Sequence, residues 1–156
     1  MSGKVVFTVG AVLRGDDAAG PMLAKLMEDQ PIEGWEVVDG GQMPEDQLAV
    51  VRRMEPDVLV LVDAADMGEE PGTVKPVDAD CVATDFLITT HSLPITFLLE
   101  ELDKCCGRVV FLGIQPAQMG FMEPLTPAVN DGVQKIYDWL ATGAAFARET
   151  GFGLLH

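Results

Sequence analysis

The sequence is poor in the features that mark membrane proteins, nucleic-acid-binding proteins and disulfide-bonded secreted proteins. Its longest uninterrupted apolar runs, such as the one from Val58 to Val62, are far too short to cross a bilayer. Lys and Arg number 10 against 25 Asp and Glu, and the net charge of −15 would repel phosphate backbones. Three cysteines, an odd number, favour a reducing cytoplasm over a disulfide scaffold. We therefore expect a cytoplasmic protein without a signal peptide, membrane insertion or a nucleic-acid partner.

The length and composition suit one compact folding unit. The chain has 156 residues, of which 48% are hydrophobic, enough to bury a single core and too many for a disordered protein. We predict one domain over residues 1–141. The tail over residues 142–156 shows little periodicity, and we expect it to be partly mobile.

Apolar patterns predict strands that alternate with helices. The segment from Asp57 to Asp63 contains a continuous apolar run, which is typical of a strand buried on both faces of a parallel sheet. Pro76 assigns another strand to a sheet edge, because proline cannot donate to a central ladder. The predicted strands are 4–10, 35–39, 57–63, 72–77 and 108–114, and the predicted helices are 21–28, 44–54, 94–105 and 127–140. This order predicts an α/β fold, an open and mostly parallel sheet with helices on both faces.

Two apolar stripes and one cap are assigned within these helices. The first helix is predicted to turn Met22, Leu23, Leu26 and Met27 toward the core. Thr126 is predicted to cap the last helix. The apolar stripe of that last helix comprises Val129, Val133, Ile136, Tyr137 and Leu140.

Two adjacent carboxylates follow the first predicted strand. Parallel sheets bind ligands beyond the carboxyl ends of their strands, and Asp16 and Asp17 lie there in a Gly-rich turn. The carboxylates would repel a phosphate, and the turn lacks both the dinucleotide-binding spacing and the P-loop lysine. A cation is the more suitable ligand. The alternative is that one of the two carboxylates only caps the following helix.

A third carboxylate and a histidine extend this donor set. Asp63 ends the central strand, whereas Asp66 suits hydrogen bonds to the amides of its own loop. His91, the only internal histidine, precedes a predicted helix. The alternative to a ligand role is that it is a structural or solvated side chain. Together with Asp17, these groups predict a site for a borderline divalent ion such as nickel or zinc. Cys105 and Cys106 are adjacent at a helix end and are expected to be inert thiols.

Five segments of the sequence occur in an order that belongs to a known family. The chain resembles the [NiFe]-hydrogenase maturation endopeptidases, in the branch that serves hydrogenase-3 and formate-hydrogenlyase-type enzymes. The similarity covers roughly residues 4–140. The segments are VGAVLRGDDAAGP near the start, VVDGGQMPED from Val37, VLVDAADMG from Val60, TTHSLP from Thr89 and FLGIQPAQMGFMEPLT from Phe111.

The resemblance implies an activity and a site. These endopeptidases remove a short C-terminal extension from the precursor of the hydrogenase large subunit after nickel insertion. The family's three nickel-contacting residues fall on Asp17, Asp63 and His91 here, which would serve as catalytic and metal-binding groups. The nickel arrives with the substrate, and cadmium or zinc is expected to substitute for it. The family is also described as aspartic-type, and it implies a twisted sheet of about five strands in an α/β/α sandwich.

Several expectations accompany that resemblance. Asp16, Asp39 and Gln115 are expected to support the site from neighbouring loops, and the protein is expected to be a monomer. Ala11 stands where the family commonly has Asn. Ala18 stands where it commonly has Gly, which matters if the backbone needs glycine's freedom there.

Two other functions remain as alternatives. A receiver-type signalling module also places acidic residues after its strands, binds Mg²⁺ and accepts a phosphoryl group. Against it, Asp16 and Asp17 lie well past the strand end, and no lysine follows the last strand. The second alternative is a protein that escorts the hydrogenase precursor without cleaving it, and the changes at Ala11 and Ala18 keep it open.

Overall fold

The computed structural model of the protein describes residues 3–77 and 95–143. The strands in these two stretches are β1 (Lys4–Thr8), β2 (Trp35–Asp39), β3 (Val58–Ala64), β4 (Val74–Pro76) and β5 (Arg108–Ile114). The α-helices are α1 (Ala19–Asp29), α2 (Leu48–Met54), α3 (Ile95–Cys105) and α4 (Pro127–Thr142). Two short 3₁₀ helices, Gly15–Ala18 and Pro44–Gln47, lead directly into α1 and α2. Most of the predicted tail lies outside the described residues.

The strands form one open sheet in the order β2-β1-β3-β5-β4. Strands β1, β2, β3 and β5 run parallel, and only β4 is antiparallel to its neighbour. Pro76 lies on this outermost strand opposite Leu112, where its missing N–H costs the ladder least. The predicted fold class is confirmed, including the edge position of the strand that carries Pro76.

The alternation of side chains along the central strands divides the core into two layers. Val60 and Val62 of β3 face the layer that α1 and α4 cover. Leu59 and Leu61 face the layer that α2 and α3 cover. All four side chains are fully buried. Burial of each one stabilises the folded state by about 1.5–3 kcal/mol. The continuous apolar run therefore has a physical cause, because β3 has no face toward water.

The inward face of α1 differs from the predicted one. Leu23 and Met27 are buried as expected, Leu26 is half-buried, and Met22 is 38% exposed. The prediction that Met22 points inward is wrong because the helix starts at Ala19 and packs through Gly20, which sets a different face toward the sheet. Within the described residues, no helix is long and apolar enough to span a membrane.

The helix α1 lies unusually close to the end of β1. A Cβ atom added to Gly20 would overlap the backbone oxygen of Val9. That oxygen belongs to the chain between β1 and the candidate site, so it cannot move without shifting the strand. Gly20 therefore sets the height of α1, and of the 3₁₀ helix before it, above the sheet.

We expect Gly20→Ala to destabilise the protein although alanine favours helices. The gain of about 1 kcal/mol in helix propensity is outweighed by overpacking against Val9, which costs about 1–3 kcal/mol. Urea unfolding followed by circular dichroism measures the difference. Lys25→Ala on the exposed side of the same helix is the control and should leave the unfolding free energy nearly unchanged. A more stable Gly20→Ala variant would contradict the close packing.

Candidate functional site

Two buried carboxylates lie at the carboxyl edge of the sheet. Asp63 is the last residue but one of β3 and is 0% exposed. Asp17 lies in the 3₁₀ helix that follows β1, and it is 1% exposed. That 3₁₀ helix packs against β3, so the structure brings both predicted carboxylates to one edge. Beside Asp63 on β5 is Gly113, which presents no side chain at that register position.

The loop between β1 and α1 folds back to hold Asp17. The Ala11 backbone N–H donates to Asp17 Oδ2 at 3.0 Å, and the Asp17 N–H donates to the Arg14 carbonyl at 3.0 Å. Gly10 must be glycine in this arrangement, since its φ is +151° and a Cβ atom would overlap the Asp17 backbone oxygen. The first loop is therefore shaped around the Asp17 carboxylate.

The two departures from the family pattern leave this geometry intact. Ala11 contributes through its backbone N–H, which any residue other than proline can supply. Ala18 has φ −76° and ψ −2°, a right-handed conformation that needs no glycine. Neither alanine therefore strains the loop that carries Asp17.

Asp16 has a different surrounding from its neighbour. Its side chain is 0% exposed, and Oδ2 accepts the N–H groups of Ala117 at 2.8 Å and Gln118 at 3.0 Å. Oδ1 accepts the Thr126 N–H at 2.7 Å, and the Thr126 hydroxyl lies 2.9 Å from both oxygens. Asp16 therefore joins the first loop to the loop between β5 and α4.

These bonds exclude one alternative and correct one prediction about helix caps. Neither Asp16 nor Asp17 caps the helices that follow them, because no side-chain cap bond is present there. Thr126 precedes α4 as predicted, but its hydroxyl donates to Asp16 instead of capping its own helix. A buried carboxylate is a charge-assisted acceptor, which makes it the stronger partner for the hydroxyl. No local sequence signal indicates this pairing across the chain.

Gln115 holds the loop that follows Asp63. Its Oε1 accepts the Met67 N–H at 2.6 Å and the Glu69 N–H at 3.2 Å. Its Nε2 donates to Asp66 Oδ1 at 3.2 Å. Asp66 Oδ1 also accepts the Gly68 N–H at 3.2 Å, which confirms the loop role predicted for Asp66. Gln115 is nearly buried, so it links the ends of β3 and β5 from inside.

Asp39 shapes the turn after β2. Its Oδ1 accepts the Thr8 hydroxyl at 3.3 Å and the Gly41 N–H at 3.0 Å. The side chain is otherwise exposed. Asp39 therefore ties the second loop to the end of β1, next to the loop that carries Asp17.

The third predicted ligand, His91, lies outside the described residues, as does Cys81. Among residues 3–77 and 95–143, no group of three His, Cys, Asp or Glu side chains is arranged to hold a metal ion. The described part of the chain thus supplies two carboxylates at the site, and the predicted histidine belongs to the segment between 78 and 94.

The two cysteines at the end of α3 lie away from this edge. Cys105 and Cys106 are half-buried, and their sulfur atoms are 3.8 Å apart. Burial, with the neighbouring Cys105 thiol, raises the pKa of Cys106 to about 12. At neutral pH Cys106 is therefore a thiol and not a nucleophile, in agreement with the expectation of an inert side chain.

Comparison with known proteins places the chain in a family. The model of the hydrogenase maturation protease family matches residues 21–142, which is most of the chain. The chain belongs to the hydrogenase maturation protease family. It is 41% identical to the hydrogenase 3 maturation protease of Escherichia coli strain K12 over 136 residues, which cover 87% of each protein.

Two solved structures share the fold of this family member. The crystal structure of a hydrogenase 3 maturation protease superposes with a TM-score of 0.83 at 40% identity, covering 90% of each chain. The solution structure of the endopeptidase HycI from Escherichia coli gives a TM-score of 0.84 at 40% identity, covering 92% of each chain. The family match spans the strand that carries Asp63 and the TTHSLP segment that carries His91.

We expect Asp16→Asn to destabilise this maturation protease strongly. Both Asp16 oxygens accept hydrogen bonds, so the asparagine amide nitrogen would face a donor in either orientation. Losing the charge and misplacing one donor should lower the unfolding free energy by about 2–4 kcal/mol. Thermal and urea unfolding measure the change. Asp46→Asn, on the exposed part of the other 3₁₀ helix, is the matched control, and an equal effect there would contradict the role of Asp16.

Proposed function

We propose that this protein is an endopeptidase that removes a C-terminal extension from the precursor of a [NiFe]-hydrogenase large subunit after nickel insertion. Family membership supports the reaction class, and the hydrogenase 3 maturation protease is a relative at 41% identity. The observation that carries the proposal is the position of Asp17 and Asp63, two buried carboxylates at the carboxyl edge of a parallel sheet.

Nickel enters this proposal as part of the substrate. Asp17, Asp63 and His91 offer two carboxylate groups and one imidazole, a donor set that suits a borderline divalent ion. An ion already bound to the precursor would bring its remaining coordination positions to these side chains. Recognition of the ion then makes cleavage conditional on nickel insertion, which prevents premature processing. Cadmium or zinc in place of nickel would satisfy the same donors.

Hydrolysis requires an activated water molecule. One route is a carboxylate that acts as general base, as the aspartic-type description of the family implies. The other is a metal-bound water of lowered pKa. In either route the water oxygen bonds to the scissile carbonyl carbon, the peptide C–N bond breaks, and the departing nitrogen takes up a proton. Asp17 and Asp63 are our candidates for transferring that proton.

The alternatives gain no support from the site. A receiver-type module would use both Asp16 and Asp17 around Mg²⁺, but both Asp16 oxygens are engaged by Ala117, Gln118 and Thr126. A non-cleaving escort would follow from a damaged first loop, whereas Ala11 and Ala18 leave the loop unstrained. We place the working enzyme in the cytoplasm as a monomer.

We expect Asp17→Asn, Asp63→Asn and His91→Ala each to reduce cleavage by about 100-fold or more, since each removes a metal donor or a proton acceptor. Mass spectrometry of the peptide released from a nickel-loaded precursor measures the rate. Asp131→Asn on the exposed surface of α4 is the control and should cleave normally. Normal cleavage by both the Asp17 and the Asp63 variants would show that the site is assigned wrongly.

We also expect cleavage to depend on the metal content of the precursor. The nickel-loaded precursor should be processed, and the same precursor prepared without nickel should stay intact. Binding titrations should show the same contrast, and Asp17→Asn should weaken binding of the loaded form only. Circular dichroism of the two precursor forms controls for a difference in folding. Equal cleavage of both forms would rule out nickel as the recognised group.

A further inference from the structure

The exposed large apolar side chains of the described residues gather at one edge of the sheet. Five of them lie on three loops beyond the carboxyl ends of the parallel strands, and we call this set the apolar rim. Its members are Val12, Leu13, Met43, Phe121 and Met122, which are 51–67% exposed. The other two, Met22 and Phe97, lie in the first turns of α1 and α3.

The clustering of these side chains calls for an explanation. Single exposed apolar residues are normal on a protein surface, whereas several together mark an interaction site. The chain carries a net charge of −15, so the rim is an apolar area on a strongly acidic molecule. Acidic residues border these loops in the chain, with Asp39 at the end of β2, Glu45 and Asp46 in the 3₁₀ helix after Met43, and Glu123 next to Met122.

Backbone bonds hold two of the three loops together as one surface. The Met122 N–H donates to the Leu13 carbonyl at 2.6 Å, and the Gly15 N–H donates to the Glu123 carbonyl at 3.1 Å. The buried Asp16 carboxylate fastens the same two loops from below. These two loops of the rim are therefore arranged before any partner arrives, which lowers the entropy that docking must overcome.

Met122 adds a local conformational cost. Its φ is +65°, a left-handed value that costs an L side chain about 1–2 kcal/mol. Glu55 is the other described residue besides glycine with a positive φ, and it ends the helix α2, where such a value is common. Met122 ends no helix, and its side chain is 67% exposed, so burial does not offset the cost. Contact with a partner would bury that side chain.

We propose that the apolar rim is the docking surface for an apolar segment of the hydrogenase precursor beside the bond to be cut. This inference rests on the proposed function. Val12 and Leu13 lie in the segment that joins β1 to the 3₁₀ helix carrying Asp17, within five residues of that carboxylate along the chain. The acidic residues that border the rim loops favour basic residues next to that apolar segment.

The test compares the double variant Leu13→Ser/Phe121→Ser with the single control variant Phe97→Ser. The substrate is a nickel-loaded large-subunit precursor of the hydrogenase-3 type. We expect the double variant to raise KM at least tenfold, because interface aromatics of this kind often contribute more than 1.4 kcal/mol. Its kcat should stay within about twofold, since Asp17 and Asp63 are untouched. Phe97→Ser makes the same kind of substitution at an exposed aromatic residue on α3, outside the rim. It should leave both KM and kcat near their original values.

Three further measurements make the result decisive. The replaced side chains are exposed, so urea unfolding should be unchanged in both variants. An Asp17→Asn background slows cleavage enough for binding of the precursor to be titrated. In that background the rim double variant should bind at least tenfold more weakly than Asp17→Asn alone. Sedimentation of the unmodified protein checks for self-association.

Each contrary outcome has its own meaning. An unchanged KM and affinity, with normal cleavage by the unmodified protein, would overturn the rim and leave the proposed function standing. Failure of the unmodified protein to cleave would overturn the proposed function, and the titration would still decide the rim. A dimer that the double variant abolishes would assign the rim to a second copy of this chain and overturn the proposal.

Discussion

Asp16 is a fully buried carboxylate, and a charge in that position is tolerated only when donors replace the water it has lost. Here the donors are the backbone N–H groups of Ala117, Gln118 and Thr126 and the Thr126 hydroxyl. They come from a loop that is far from Asp16 in the chain. The charge therefore fastens the first loop to the last, and the positions of Asp17 and of the apolar rim both depend on that connection.

The two adjacent carboxylates show how one short turn separates two roles. Successive side chains of a 3₁₀ helix diverge by about 120°, so Asp16 and Asp17 meet different parts of the molecule. Asp16 faces the loop before α4, whereas Asp17 contacts the Ala11 amide in its own loop. Asp16 joins two loops, and Asp17 lies at the edge of the sheet where β3 carries Asp63 near its end.

The sheet positions the site, and polar side chains in the loops complete it. Gln115 ties the chain after β3 to the end of β5, and Asp39 ties the turn after β2 to β1. Asp16 restrains the loops that carry Leu13 and Met122 in the same manner. In the proposed docking, contacts away from the reacting bond add to recognition at the site and so to selectivity.

Much of the fold follows from local properties that can be read from the sequence, such as apolar runs and the position of proline. The uninterrupted apolar run of β3 predicts burial on both faces, and Pro76 predicts an edge strand. The polar residues after the strands indicate Asp17 and Asp63 as candidate site residues and predict the loop role of Asp66. The prediction that Met22 points toward the core is wrong. Periodicity identifies the apolar side of α1, but it does not show how close to the sheet Gly20 lets the helix pack. The tertiary structure alone decides that Asp16 pairs with Thr126 and that Met122 pairs with Leu13. Those contacts join segments about a hundred residues apart, and no local spacing or propensity encodes a meeting that exists only once the sheet has formed.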